Sequence, residues 1–136
     1  MSKSAPDTSS RILLTDDAST IARKIKGSVT DSLGPITYDP IKRPGTSNLL
    51  EILTACQPEG TDVINVAKRY EGKGHGDLKR DVADAVEGVI QGPRREFEKL
   101  RVEKEYLKEV ARKGAEQARE LSGSTLKHVR ELVGLS

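Results

Sequence analysis

The sequence predicts an all-α fold, a helical bundle, on three observations. Apolar residues recur at helical spacing in five successive stretches. The first three stretches each follow residues able to cap a helix: Thr15, Asp16 or Asp17, then Ser47, then Thr61 or Asp62. Nothing alternates with period two for long enough to form a strand.

Taken in order, residues 1–11 are polar, contain Pro6 and show no periodicity, so a mobile loop is expected there. Ala18, Ile21, Ala22 and Ile25 then define one face of a short amphipathic helix that Gly27 should stop. Residues 28–47 carry Pro35, Pro40 and Pro44 with Gly34 and Gly45. Proline's fixed φ and missing donor keep such a stretch irregular, so an ordered connector is expected. Ser47 should cap a second helix that buries Leu49, Leu50, Ile52, Leu53 and Cys56 and ends at Gln57-Pro58-Glu59-Gly60. A third helix, opened by Thr61 or Asp62, should turn Val63, Val66, Ala67 and Tyr70 inward and stop at Gly72. A fourth pattern runs through Leu78, Val82, Val86, Ile90, Phe97 and Leu100 and keeps its phase across Pro93. That continuity predicts one kinked helix, despite the cost of about 3 kcal/mol for an interior proline. The last pattern runs from Glu103 through Leu107, Val110, Gly114, Ala118, Leu121, Thr125, Val129 and Leu132 to Gly134.

Composition narrows the function classes. A chain of 136 residues accommodates one helical domain with its own core but no second enzyme-sized domain. Aromatics make up only 3%, namely Tyr38, Tyr70, Phe97 and Tyr106, so the core is aliphatic and few rings remain to stack on bases. Net charge is +2, and any affinity for nucleic acid must come from local clustering of cations. One cysteine, Cys56, and two histidines cannot build an internal disulfide or a conventional structural zinc site, and no metal-ligand set is expected. No apolar run approaches the roughly 20 residues of a membrane span.

Several chemistry-bearing features have two readings. Gly72-x-Gly74-x-Gly76 opens a helix, where exposed N–H groups attract anions, but a helix rather than a strand precedes it, which favours a turn over a nucleotide site. An RNA phosphate docked there with help from Lys73, Lys79 and Arg80 is the alternative. His75 reads as a turn residue, His128 as a helix-surface residue and Cys56 as a buried, inert thiol. The mixed charges of Glu103, Lys104, Glu105, Lys108 and Glu109 read as a solvated face. Basic pairs recur at Lys42-Arg43, Lys68-Arg69, Lys79-Arg80 and Arg94-Arg95, with Lys99 and Arg101. They either gather on one face to meet phosphates or remain separate solvated faces.

Met1-Ser2-Lys3-Ser4 resembles the last four letters of the class I synthetase signature KMSKS. An ordered series then follows: Leu14-Thr15-Asp16-Asp17, Lys24-Ile25, Val29-Thr30-Asp31-Ser32, Tyr38-Asp39, Arg43-Pro44-Gly45, Ser47-Asn48-Leu49-Leu50, Tyr70-Glu71-Gly72 and Gly114-Ala115-Glu116-Gln117-Ala118. Together these resemble the C-terminal portion of tryptophanyl-tRNA synthetases of the bacterial type, over essentially the whole chain.

The resemblance implies a KMSKS-loop remnant at residues 1–15 and a helical anticodon-binding domain at residues 16–136. In such enzymes ATP and Mg2+ activate tryptophan to an adenylate, pyrophosphate leaves, and the amino acid passes to tRNA-Trp. Lys3 matches the second lysine of the signature, whose charge follows the negative charge building on pyrophosphate, with Ser2 and Ser4 as hydroxyl donors beside it. The resemblance further implies tRNA contact by the domain, for which the basic residues Lys68, Arg69, Lys73, Lys79, Arg80, Arg94 and Arg95 are the candidates, and a homodimer in the full enzyme. The first lysine of the signature and the Rossmann half with its HIGH motif are not in this chain, so the chain alone is expected to be inactive and to expose apolar surface. A stand-alone RNA-binding module and a complementing half of a split enzyme are the other expectations. The compartment implied is the mitochondrial matrix, with bacterial cytoplasm as the alternative.

Overall fold

The computed structural model describes residues 8–135. Among the described residues five α-helices carry the fold and no strand is present: α1 (Ala18–Lys26), α2 (Pro44–Ala55), α3 (Val63–Lys68), α4 (His75–Leu100) and α5 (Lys104–Leu132). A single 3-10 turn at Thr8–Ser10 lies within the stretch expected to be a loop. The chain divides into two compact units, Met1–Arg94 and Arg95–Ser136.

In the first unit, α1 begins where the Asp17 carboxylate accepts the Thr20 N–H at 2.7 Å, satisfying one of the orphan donors of the first turn. Ile21 and Ile25 are buried, whereas Ala18 and Ala22 stay exposed, so the inward face is narrower than the spacing predicts. Gly27 does end α1, but in a right-handed conformation that any residue adopts (φ −76°). Side chains stop the helix instead: Ser28 Oγ donates to the Ile25 carbonyl, and Lys79 from α4 donates to the carbonyls of Lys26 and Ser28 at 3.2 and 2.7 Å.

α2 starts at Pro44, three residues before the expected cap. A proline at the first helical position surrenders only an N–H that has no helical partner and brings its φ preset. Ser47 therefore sits inside the first turns, buried, with its hydroxyl accepting the Asp39 N–H at 3.0 Å. Asp62 caps α3 as expected, and Tyr70 in the following turn donates its hydroxyl to Asp81 of α4 at 2.7 Å. α2 packs against α3.

α4 runs unbroken through Pro93. Glu87 and Arg94, two turns apart, form a two-pronged ion pair at 2.9 and 2.7 Å along this part of the helix. The core of this unit joins Ile21 and Ile25 of α1, Ile36 of the connector, Leu49, Leu50 and Leu53 of α2, Val66 and Ala67 of α3, and Leu78, Val82 and Val86 of α4. Each of the larger side chains contributes about 1.5–3 kcal/mol of burial. Phe97 and Leu100, placed on the inward stripe by periodicity, are exposed.

In the second unit α5 matches its expected span but buries no residue, and Leu107, Val110, Leu121, Val129 and Leu132 are all exposed. Its polar face is laced by Arg112, which pairs with both Glu109 and Glu116. Among the described residues no helix is long and apolar enough to cross a membrane.

Candidate functional site

Ser2, Lys3 and Ser4 lie outside the described residues. The segment that follows them is tied to α1 by Lys24. Its ammonium donates to the Arg11 carbonyl at 3.0 Å and pairs with Asp16, whose carboxylate also accepts the Leu13 N–H at 2.8 Å. Both partners of this pair are almost wholly covered. Burial pushes the Asp16 carboxyl up, but its bonds to Lys24 and Leu13 outweigh that and hold it below the ordinary range.

The most densely bonded group is Arg43, only 5% exposed. The sequence offers it, beside Lys42, as a basic surface residue, and the structure corrects this. Its guanidinium donates to Asp31 through Nε and Nη2, to the carbonyls of Pro35 and Leu33, and to Thr37 Oγ1 at 2.9 Å. All of these acceptors come from the irregular stretch between α1 and α2, whose backbone has no helical partners and needs donors from elsewhere. Thr46 completes the group by donating its hydroxyl to Asp31 at 2.7 Å. His75 Nε2 lies 3.1 Å from the Thr46 hydroxyl oxygen and 3.5 Å from Arg43 Nη2. The histidine thus joins the first turn of α4 to the first turn of α2, a role its glycine neighbours conceal in the sequence.

Bonds from Arg43 first, then Thr46, hold the Asp31 carboxyl well below the usual carboxylate range, against burial, which pushes it up. Folding therefore binds fewer protons than unfolding in acid, and stability rises with pH across that window. The contribution is complete above the ordinary carboxylate pKa of about 3.9 and is lost as pH falls towards the depressed folded value. Urea midpoints measured from about pH 5 down to about pH 2.5 should decline steeply for the wild type and less for Asp31→Asn; parallel declines would contradict this assignment.

The cations expected to meet RNA fall into separate places. Arg69 and Lys73 line one polar hollow with Gln57, Tyr70, Asp81 and Asp84, and the Lys73 ammonium lies 5.3 Å from the Tyr70 ring centre. Lys79 and Arg80 line a second with Lys26, Gly76 and Asp84. Lys68 borders a more apolar hollow with Ile36, Tyr38, Ile64 and Glu71. Arg94 is committed to Glu87 and Lys79 to the end of α1, while exposed Arg95 belongs to the second unit. The glycine run forms the turn into α4, with Gly72 at φ +77°. Its Gly74 N–H already donates to the Asp77 carboxylate at 3.2 Å, which occupies the helix end with the protein's own anion. Cys56 is partly covered, and burial pushes its thiol up, away from the reactive thiolate.

Residues 1–91 match the family model described as tRNA synthetases class I (W and Y). The chain is 39% identical to a tryptophan–tRNA ligase of Mycobacterium leprae over 134 residues, covering 98% of this chain and 38% of that protein. It is likewise 39% identical to a tryptophan–tRNA ligase of Bacillus anthracis over 136 residues, covering 100% of this chain and 40% of that protein. Among solved structures, a tryptophanyl-tRNA synthetase from Mycoplasma pneumoniae superposes with a TM-score of 0.68 at 26% identity, over 100% of this chain and 41% of that one. The chain thus spans about two fifths of the length of these relatives.

Proposed function

The chain belongs to the class I tRNA synthetases (W and Y), and from that premise we propose that it is the C-terminal, tRNA-contacting part of a tryptophan–tRNA ligase. What carries the proposal is that the likeness to tryptophan–tRNA ligases runs through the entire helical chain rather than one motif.

In the whole enzyme ATP and tryptophan are substrates: the amino-acid carboxylate attacks the α-phosphorus, pyrophosphate departs with the bond's electrons, and the adenylate then esterifies tRNA-Trp. Lys3 is the residue of this chain we assign to the departing pyrophosphate, where a positive charge that meets developing negative charge lowers the barrier. Ser2 and Ser4 supply hydroxyl donors to the same phosphates. Mg2+ would accompany ATP as substrate, and a homodimer would form through the part of the enzyme that this chain does not span.

The helical region takes the tRNA. Arg69, Lys73, Lys68 and Arg80 reach solvent and can meet phosphates, with Arg95 a further exposed cation, whereas Lys79 and Arg94 chiefly hold the fold. Relatives of bacterial origin support a compartment that runs bacterial-type translation, either bacterial cytoplasm or mitochondrial matrix.

Two measurements test the proposal. The pure chain should show no tryptophan-dependent exchange of pyrophosphate into ATP; turnover by a homogeneous preparation would overturn the assignment of catalysis to the whole enzyme. The same chain should bind tRNA-Trp with an affinity that falls as salt rises, by roughly 0.7–0.9 log units per log unit of salt for each phosphate engaged. Equal affinity for tRNA-Trp and for an acidic polypeptide of matched charge would remove the tRNA-binding reading.

A further inference from the structure

Lys24 and Asp16 face each other with side chains only 10% and 11% exposed. The Lys24 ammonium also donates to the Arg11 carbonyl at 3.0 Å. The Asp16 carboxylate accepts the Leu13 N–H at 2.8 Å, and the Asp16 N–H returns to the Leu13 carbonyl at 3.0 Å. Ile12, between these bonds, packs against the core, and Asp17, the next residue, caps α1. Residues 11–17 are thus folded onto α1 as a bracket. α1 is itself held by the buried Ile21 and Ile25 and by Lys79 of α4, which donates to the carbonyls of Lys26 and Ser28.

Stability does not account for this pair. Taking two charges out of water costs about as much as their attraction gains, and apolar residues of the same volume serve a fold equally well or better. A covered ion pair supplies what apolar contacts do not, a single geometry. An ammonium that must meet a carbonyl and a carboxylate together allows no slide of one segment along the other. The segment fixed in this way follows directly on the stretch that carries Lys3, eight residues before Arg11. A cation that meets charge developing on a leaving group acts most strongly when its position is set beforehand, and a misplacement of about 1 Å costs on the order of a hundredfold in rate.

We propose that Lys24 is a positioning residue: through Asp16 and Arg11 it fixes the point from which the chain reaches back to Lys3, and so sets how that lysine meets the departing pyrophosphate. The inference rests on the assignment of Lys3 to pyrophosphate and names the residue that supports it.

The test is tryptophan-dependent pyrophosphate exchange by the whole ligase that contains this chain. Lys24→Met combined with Asp16→Asn removes both charges without leaving either unpaired, and the Asn oxygen still accepts the Leu13 N–H. This combination should lower kcat by about tenfold to a hundredfold and leave the KM for tryptophan unchanged, as expected of an interaction felt only in the transition state. Lys24→Arg, which keeps the charge, should lose less. In a Lys3→Ala background the same changes should have no further effect, because the residue through which they act is gone. A purely structural role would slow both backgrounds by the same factor, and that result overturns the inference, as does an unchanged kcat. Should the combined variant not fold, Lys24→Arg compared across the two backgrounds decides in the same way. Those results leave the assignment of Lys3 standing, whereas a Lys3→Ala ligase as fast as the wild type removes that assignment and this inference with it.

Discussion

Replacing Arg43 with alanine should lower the stability of the chain by about 1–3 kcal/mol, the cost of leaving hydrogen-bonding groups of a partly buried ion pair without their donor. The reason is what the guanidinium leaves behind. Asp31 keeps its charge with only Thr46 and the Leu33 N–H to support it, and the carbonyls of Leu33 and Pro35 and the Thr37 hydroxyl lose their donor. Leu33, Pro35 and Thr37 are themselves exposed, so water replaces part of what their acceptors lose. Arg43→Lys should recover only part of the loss, because a single ammonium carries three donors on one atom and cannot span acceptors spread around a planar fork. Urea unfolding followed by far-UV circular dichroism measures both variants. If Arg43→Ala shifts stability by less than about 1 kcal/mol, the group is a solvated cation, as its sequence context suggests. Should alanine prevent folding, the ordering of wild type above lysine still decides the matter.

A single methyl group at Gly45 should be nearly as damaging. A Cβ built there overlaps the Val29 carbonyl oxygen and lies 3.2 Å from the Val29 carbonyl carbon and 3.4 Å from Thr30 Cα. These are backbone atoms and cannot rotate away as a side chain would. Overpacking of this kind costs about 1–3 kcal/mol, and a rigid neighbour places Gly45→Ala at the upper end. Because Gly45 and Arg43 both hold the connector against the start of α2, the double substitution should cost less than the sum of the two. Full additivity would mean that they act on separate parts of the fold.

Periodicity made the helices legible because it records burial directly. The phase kept across Pro93 predicted a continuous α4, and Asp62 declared the cap of α3. Boundaries governed by bonds rather than burial were not legible. α2 begins at Pro44 and not near Ser47 because the connector and Arg43 hold its first turn in place. Arg43 reads as a solvated cation since its acceptors are backbone carbonyls and side chains 6 to 12 residues earlier, a relation no spacing rule expresses. The same limit applies to the site. Arg69, Lys73 and Arg80 were flagged by charge and are exposed, but nothing in the sequence separates them from Lys79 and Arg94, whose charges are spent inside the fold. The exposed stripe of α5 shows the converse, a helical period that records an apolar face without saying what covers it.

The bonds around Arg43 also have a consequence in time. The guanidinium meets Asp31, Leu33, Pro35 and Thr37 only once the irregular backbone before α2 has bent around it. Contacts that form after the barrier to folding has been crossed govern how fast a protein comes apart rather than how fast it assembles. Arg43 is thus expected to set the lifetime of the folded state. In a chevron plot, Arg43→Lys should raise the unfolding limb and leave the refolding limb in place; a slowed refolding limb would instead put this bonded group in the folding nucleus.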